Sequence, residues 1–202
     1  MNLLPEGVRH YSNFLSNQQQ SELISSIREV VRKAPLYTPE MPKTGKAMSV
    51  KMTNCGEFGW ITDKKQGYRY QEFHPVTHKP WPEIPAQLLE IWLELADYPD
   101  QPQACLINYY SSDAKMGMHQ DCDEQNFEAP VVSISLGDDC LFRVGGTKRG
   151  GKTHSLRLKS GDVLVLDGAS RLAFHGVDKI YPNTSMLLKD VGRINLTLRR
   201  VT

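Results

Sequence analysis

The sequence predicts an α+β fold in which two N-terminal helices lie on one sheet of an antiparallel β sandwich or barrel. Two observations carry this. Helix-periodic apolar residues fall only in the first half, and a succession of short β-branched or alternating runs, separated by Gly, Asp and Ser clusters, fills the second. A third locates the chemistry. A His-x-Asp pair, a later histidine and a strictly alternating polar strand all lie in that β-rich half.

Leu23, Ile24, Ile27, Val30 and Val31 recur at i, i+1, i+4, i+7 and i+8, one face of a helix from about Asn17 to Val31. Leu88, Leu89, Trp92 and Leu95 repeat the spacing, with Pro85 where a first helical turn tolerates proline. Between them residues 34–85 are rich in Pro, Gly, Thr, Lys and Tyr and read as short strands and long loops. Strands are expected at 104–110, 131–136, 141–144, 155–158, 163–166, 172–174 and 194–198.

A chain of 202 residues with 40% hydrophobic and 23% charged residues fits one globular domain, 1–202, and excludes a disordered or fibrous protein. A net charge of +1 makes any grip on nucleic acid local. Two basic stretches supply candidates: Lys43, Lys46, Lys51, Lys64 and Lys65, and Lys148, Arg149, Lys152, His154, Arg157 and Lys159. The 4 cysteines form no CxxC pair, and Met1–Arg9 carries no signal peptide, so reduced thiols in a cytoplasmic protein are expected. No apolar run is long enough to span a bilayer.

His119 and Asp121 stand two apart, so in extended chain they project to one side and can bind one metal. A neighbouring strand can bring His175 to the same point. Two neutral imidazoles and a carboxylate on one face of an octahedron leave three positions open, as non-haem iron(II) oxygenases require. Chance capping or surface histidines would share this short pattern, so a second feature is needed. Along residues 193–199, Arg193, Asn195, Thr197 and Arg199 share one strand face, and Ile194, Leu196 and Leu198 the other. Two arginines, an amide and a hydroxyl in one row suit a dicarboxylate, because guanidinium binds carboxylate through two parallel hydrogen bonds. Asn108 and Tyr110, also two apart, can add an amide and a hydroxyl from a neighbouring strand.

These residues, with Leu106-Ile107-Asn108-Tyr109-Tyr110, Ser170-Arg171-Leu172-Ala173-Phe174-His175-Gly176, Gly59-Trp60, Gln66-Gly67-Tyr68 and Lys79-Pro80-Trp81-Pro82, resemble the AlkB family of oxidative nucleic-acid demethylases. The resemblance runs from about Ala47 to Arg200. It implies a double-stranded β-helix (jelly-roll) core over about 104–200 and a nucleotide-recognition lid over about 34–85. It further implies Fe(II) on His119, Asp121 and His175, with O2 and 2-oxoglutarate as co-substrates, the latter against Asn108, Tyr110, Arg193, Asn195 and Arg199. Trp60 and Tyr68 would sit in the lid, and Asp123 and Arg149 near the base. The chain departs from the family at Tyr109, where the best-known members carry a basic residue, and between Gly176 and Gly192, read as a loop of its own.

The implied activity is removal of alkyl groups from bases such as 1-methyladenine and 3-methylcytosine, in repair of DNA alkylation damage. The partner would be single-stranded or locally opened DNA, with RNA a second candidate, and the enzyme a monomer. Bases alkylated at these ring nitrogens are cations, which a carboxylate at Asp123 favours, and an extruded base can stack on Trp60. Two rivals remain: an oxygenase of the same type acting on a protein side chain or metabolite, and a metal-binding β-barrel without catalysis. The lid residues argue against the first and the 193–199 row against the second.

Overall fold

Helix α1 (Asn17–Lys33) begins where the sequence can satisfy its first free N–H groups. Ser16 accepts from the Gln19 backbone and the Gln19 side chain accepts from the Ser16 N–H, a reciprocal capping box, while Arg32 and Lys33 occupy the last turn. The computed structural model of the chain describes residues 4–202. Around α1 and α2 (Ala86–Leu95) the strands run β1 (Val8–Tyr11), β2 (Val50–Gly56), β3 (Gly59–Asp63), β4 (Gly67–Gln71), β5 (Ala104–Tyr110), β6 (Met116–His119), β7 (Val131–Gly137), β8 (Asp139–Val144), β9 (His154–Leu158), β10 (Val163–Leu166), β11 (His175–Tyr181) and β12 (Arg193–Arg199). Among the described residues no helix is long and apolar enough to cross a membrane.

Two antiparallel sheets build the jelly roll. The major one has the order β1-β10-β7-β12-β5-β2 and the minor one β6-β11-β8-β9, while β3 and β4 form a separate hairpin. Both faces of the major sheet are covered, so period-two alternation sorts its side chains between two environments. Cys105 and Ile107 of β5, Val163 and Val165 of β10, and Leu196 and Leu198 of β12 meet Leu23, Ile27, Leu88 and Trp92 of the helices. Leu106, Tyr110, Leu164 and Leu166 turn the other way, onto Phe142, Val144, Val177 and Ile180 of the minor sheet. Each such Leu, Ile or Val contributes about 1.5–3 kcal/mol by burial. The inward side of β12 breaks the apolar rule, and the site lies there.

Several expected elements shift. Residues 172–174 are no strand: a 3-10 turn (Gly168–Ser170) ends just before them, and the sheet resumes at His175. The segment from Gly176, expected as a loop, is half strand, because β11 pairs with β8 through Tyr181. Strands β1 and β6 were not expected, and α1 runs on to Lys33. Within 34–85, β2 joins the major sheet beside β5, leaving the β3–β4 hairpin and its flanking loops above the cavity.

The start of the chain is tied down by Asp162, which is only 2% exposed. Its carboxylate accepts from His10 Nε2 (3.0 Å) and from the backbone N–H groups of Asn13 (2.9 Å) and Lys159 (2.9 Å). Burial alone would raise its pKa, but these hydrogen bonds outweigh it and hold the group below the ordinary aspartate value. Asp162→Ala should therefore destabilise the fold by about 2–3 kcal/mol at neutral pH in urea titration. A depressed folded pKa adds stability above the unfolded value of about 4 and loses it as pH falls through the folded one. The gap between wild type and variant should accordingly narrow on acidification.

Candidate metal and dicarboxylate site

His119 ends β6 and His175 opens β11, and the two are direct cross-strand partners. Their rings lie 4.5 Å apart between centroids. The approach needs Gly176: a Cβ there would stand 2.6 Å from the Met116 carbonyl oxygen on β6. Asp121 follows two residues after His119, and the three donor groups lie within 4.8 Å of one another.

The donors are prepared for a cation. His119 Nδ1 and His175 Nδ1 each sit 2.9 Å from a carbonyl oxygen, of Gly117 and Ala173 respectively. A carbonyl only accepts, so each Nδ1 carries the proton and each Nε2 keeps its lone pair. Burial pushes His175 down to about 4, so the ring is neutral at physiological pH. Burial would raise the pKa of Asp121, but Arg199, His175, His119 and Arg171 outweigh it and keep the carboxyl well below the usual range. Asp121 Oδ1 lies 2.8 Å from Arg199 Nη2, whereas the buried Oδ2 has no hydrogen-bond partner. An orphaned buried acceptor costs about 1–3 kcal/mol, and a metal ion would satisfy it.

The triad opens into a cavity of about 840 Å³ between the sheets and below the hairpin. All twelve expected site residues line it. On its inner wall the β12 row faces Ser133 and Ser135 of β7 and Asn108 of β5. Arg193, 1% exposed, donates to Ser135 Oγ (2.7 Å) and more weakly to the Asp138 carbonyl (3.4 Å), while its Nε has no partner. No carboxylate among the described residues pairs with it. Asn108 Oδ1 is likewise buried without a partner. Burial raises the Tyr110 phenol, which keeps it a neutral donor. Asn195 is spent locally, on Ser133 Oγ (2.8 Å) and the Ile134 carbonyl (3.1 Å). A carboxylate would supply the acceptor that Arg193 Nε lacks.

At the mouth Trp60 and Tyr68 stack at 5.5 Å with an interplanar angle of 21°. Asn54 clamps the Trp60 backbone through two hydrogen bonds of 3.0 Å, and Trp60 Nε1 donates to Asp123 Oδ2 at 2.6 Å. Arg149 lies over the Phe174 ring at 4.8 Å. Tyr109 alternates with Asn108 and Tyr110 and leaves the cavity, its hydroxyl donating to the Val191 carbonyl (3.3 Å). Sequence reasoning missed Tyr70, Glu124 and Arg171, which with Arg199 form a network beside Asp121. For Tyr70 a signal existed, its place two residues beyond Tyr68 on one strand face; Glu124 and Arg171 gave none.

The model of the 2OG-Fe(II) oxygenase superfamily matches residues 7–199. An alpha-ketoglutarate-dependent dioxygenase AlkB homolog of Caulobacter vibrioides is 47% identical over 94% of this chain and 86% of its own length. Alpha-ketoglutarate-dependent dioxygenase AlkB of Escherichia coli is 44% identical over 89% of this chain and 83% of its own. The solved structure of OsALKBH1 superposes with a TM-score of 0.86 at 30% identity, covering 98% of this chain and 99% of that one.

The wall geometry separates the two arginines. Arg193→Lys keeps the charge and loses the planar fork, so the apparent affinity for 2-oxoglutarate should fall about tenfold or more while Co(II) binding is unchanged. Arg199→Lys should weaken both, because Arg199 also holds Asp121. Calorimetric titration with each ligand reads the difference; equal behaviour of the two variants would refute the division.

Proposed function

Since the chain belongs to the 2OG-Fe(II) oxygenase superfamily, we propose that its cavity demethylates N-alkylated nucleic-acid bases, with Fe(II) held by His119, Asp121 and His175. The observation that carries this reading is the make-up of one cavity. A metal-ready triad and an unpaired buried guanidinium lie inside it, and an aromatic stack bonded to a carboxylate lies at its mouth. When bound, Fe(II) would supply the oxidation in which 2-oxoglutarate and O2 become succinate and CO2 while the second oxygen atom turns the N-methyl carbon into an N-hydroxymethyl group, which breaks down to formaldehyde and the repaired base.

The protein's own residues bind, orient and exclude. Arg193, Asn108 and Tyr110 take the dicarboxylate, with Asn195 shaping the wall and Arg199 at the metal end. Trp60 and Tyr68 offer ring faces to a base taken out of its stack, and the Asp123 carboxylate favours the cationic lesions 1-methyladenine and 3-methylcytosine. Lys46, Lys115 and Arg149 line the mouth, where phosphates of a single-stranded or locally opened strand would pass. Those contacts suit DNA and RNA alike. The buried, unpaired Cys55, Cys105 and Cys140 suit the cytoplasm, and the site needs no residue from a second copy.

Succinate release measured with and without a 1-methyladenine oligonucleotide, together with the oligonucleotide mass, tests the reading. Coupled release and loss of the methyl group are expected. His119→Ala, Asp121→Ala and His175→Ala should each abolish it at low iron, and full activity in any of them would refute the metal assignment.

Base recognition has its own test. Asp123→Asn leaves an oxygen for the Trp60 N–H and removes the charge. It should slow repair of cationic 1-methyladenine about fivefold more than that of neutral 1-methylguanine. Trp60→Ala should weaken oligonucleotide binding and leave 2-oxoglutarate affinity unchanged. Equal losses of Asp123→Asn on both bases would contradict recognition by charge.

A further inference from the structure

A buried network joins the hairpin over the cavity to the carboxylate of the metal triad. Tyr70 lies on β4 two residues from Tyr68, on the same strand face. Its hydroxyl donates to Glu124 Oε1 at 2.5 Å and accepts from Arg199 Nη1 at 3.1 Å. Arg199 Nη2 in turn lies 2.8 Å from Asp121 Oδ1. Arg171 closes the ring, donating to the Asp121 carbonyl (2.9 Å) and to Glu124 Oε2 (3.3 Å). Two guanidinium groups thus balance two carboxylates, all four buried.

Tyr70 is the member that comes from the hairpin, and the same hairpin carries Trp60 and Tyr68. We propose that Tyr70 is a positioning residue through which the seating of the β3–β4 hairpin decides whether Asp121 presents its free oxygen, Oδ2, to the metal. Arg199 has two carboxylates within reach: Asp121, and Glu124 at 3.5 Å from its Nε. With Tyr70 in place, the Tyr70 hydroxyl occupies Glu124 Oε1 and gives Nη1 an acceptor, leaving Nη2 to fix Asp121 Oδ1. When the hairpin lifts, Glu124 Oε1 and Arg199 Nη1 both lose the hydrogen bond that Tyr70 gives them, and the Arg199 Nε–Glu124 contact of 3.5 Å remains. Such groups seek each other, because a buried polar atom without a partner is costly. Arg199 then turns toward Glu124 and releases Asp121. Oxidation becomes conditional on a hairpin closed over a base, which protects the enzyme from consuming 2-oxoglutarate without repair.

This rests on the assignment of the metal triad, and the test separates the two. Coupling between sites is reciprocal, so an ion on Asp121 must steady the hairpin as the hairpin steadies Asp121. Hydrogen exchange of residues 59–71 in the wild-type chain, with and without Zn(II), reads this without any turnover. Zn(II) should slow exchange of the hairpin about threefold or more, and Tyr70→Phe should still bind Zn(II) but lose that protection. In repair assays Tyr70→Phe, which removes the same two hydrogen bonds, should lower succinate formation and repair together several-fold at low iron, with saturating Fe(II) restoring both and KM for the oligonucleotide unchanged. A merely structural role would lower the melting temperature and leave the iron dependence alone. Zn(II) that binds without slowing the wild-type hairpin overturns the coupling and leaves the triad standing. Failure of Zn(II) to bind, by dialysis, overturns both.

Discussion

Two of the buried guanidinium groups, Arg193 and Arg199, share the inward face of β12, and the surroundings of the two differ. A charge taken out of water costs several kcal/mol unless partners replace the solvent. Arg199 has such partners in Asp121, Glu124 and Tyr70. Arg193 has no carboxylate, only a serine hydroxyl and a distant carbonyl. The first charge belongs to the scaffold of the metal site. The second meets no carboxylate among the described residues and is the charge we propose for the co-substrate anion, held in place by Ser135 of β7 and the Asp138 carbonyl.

The metal end follows from strand register. Because His119 and His175 oppose each other across β6 and β11, ring approach is a consequence of sheet pairing and needs no long loop to arrange it. The register shifts after His175, a break that ends regular pairing beside the open cavity. Gln120, between the two ligands, donates to the carbonyls of Leu172 (2.6 Å) and Thr147 (3.2 Å), which fixes the strip from which Asp121 projects. The site is therefore built on strands and tight turns, beneath a hairpin that belongs to neither sheet. That division suits chemistry in which a base must enter and leave while the ligands stay put.

What the sequence made legible was local. Alternation along 193–199 gave the correct faces of β12, because a sheet covered on one side by helices forces apolar residues to every second position. His119 and Asp121, like the polar row of β12, were readable as residues two apart in extended chain, which project to one side. Strand β6, Met-Gly-Met-His, was not: it has no β-branched residue and a glycine inside, and it exists because β11 pairs with it. Leu172-Ala173-Phe174 alternates like a strand, yet Gly168–Ser170 turns the chain there and Ala173 N–H is spent on the Ser170 carbonyl. The Tyr70–Glu124–Arg199 ring joins residues far apart in the chain, so no local pattern announces it.

The central claim is that Arg193 is the unpaired half of an ion pair completed by the distal carboxylate of 2-oxoglutarate. Thermal melting of the Zn(II)-loaded chain with 2-oxoglutarate, and separately with 2-oxopentanoate, tests it directly. The two ligands share the keto acid and the chain length, and differ in the terminal carboxylate. 2-Oxoglutarate should raise the melting temperature by several degrees, on the order of a bound ligand at a hundredfold its Kd, and 2-oxopentanoate should raise it little. An equal rise with both would mean that Arg193 meets no carboxylate and would contradict the account.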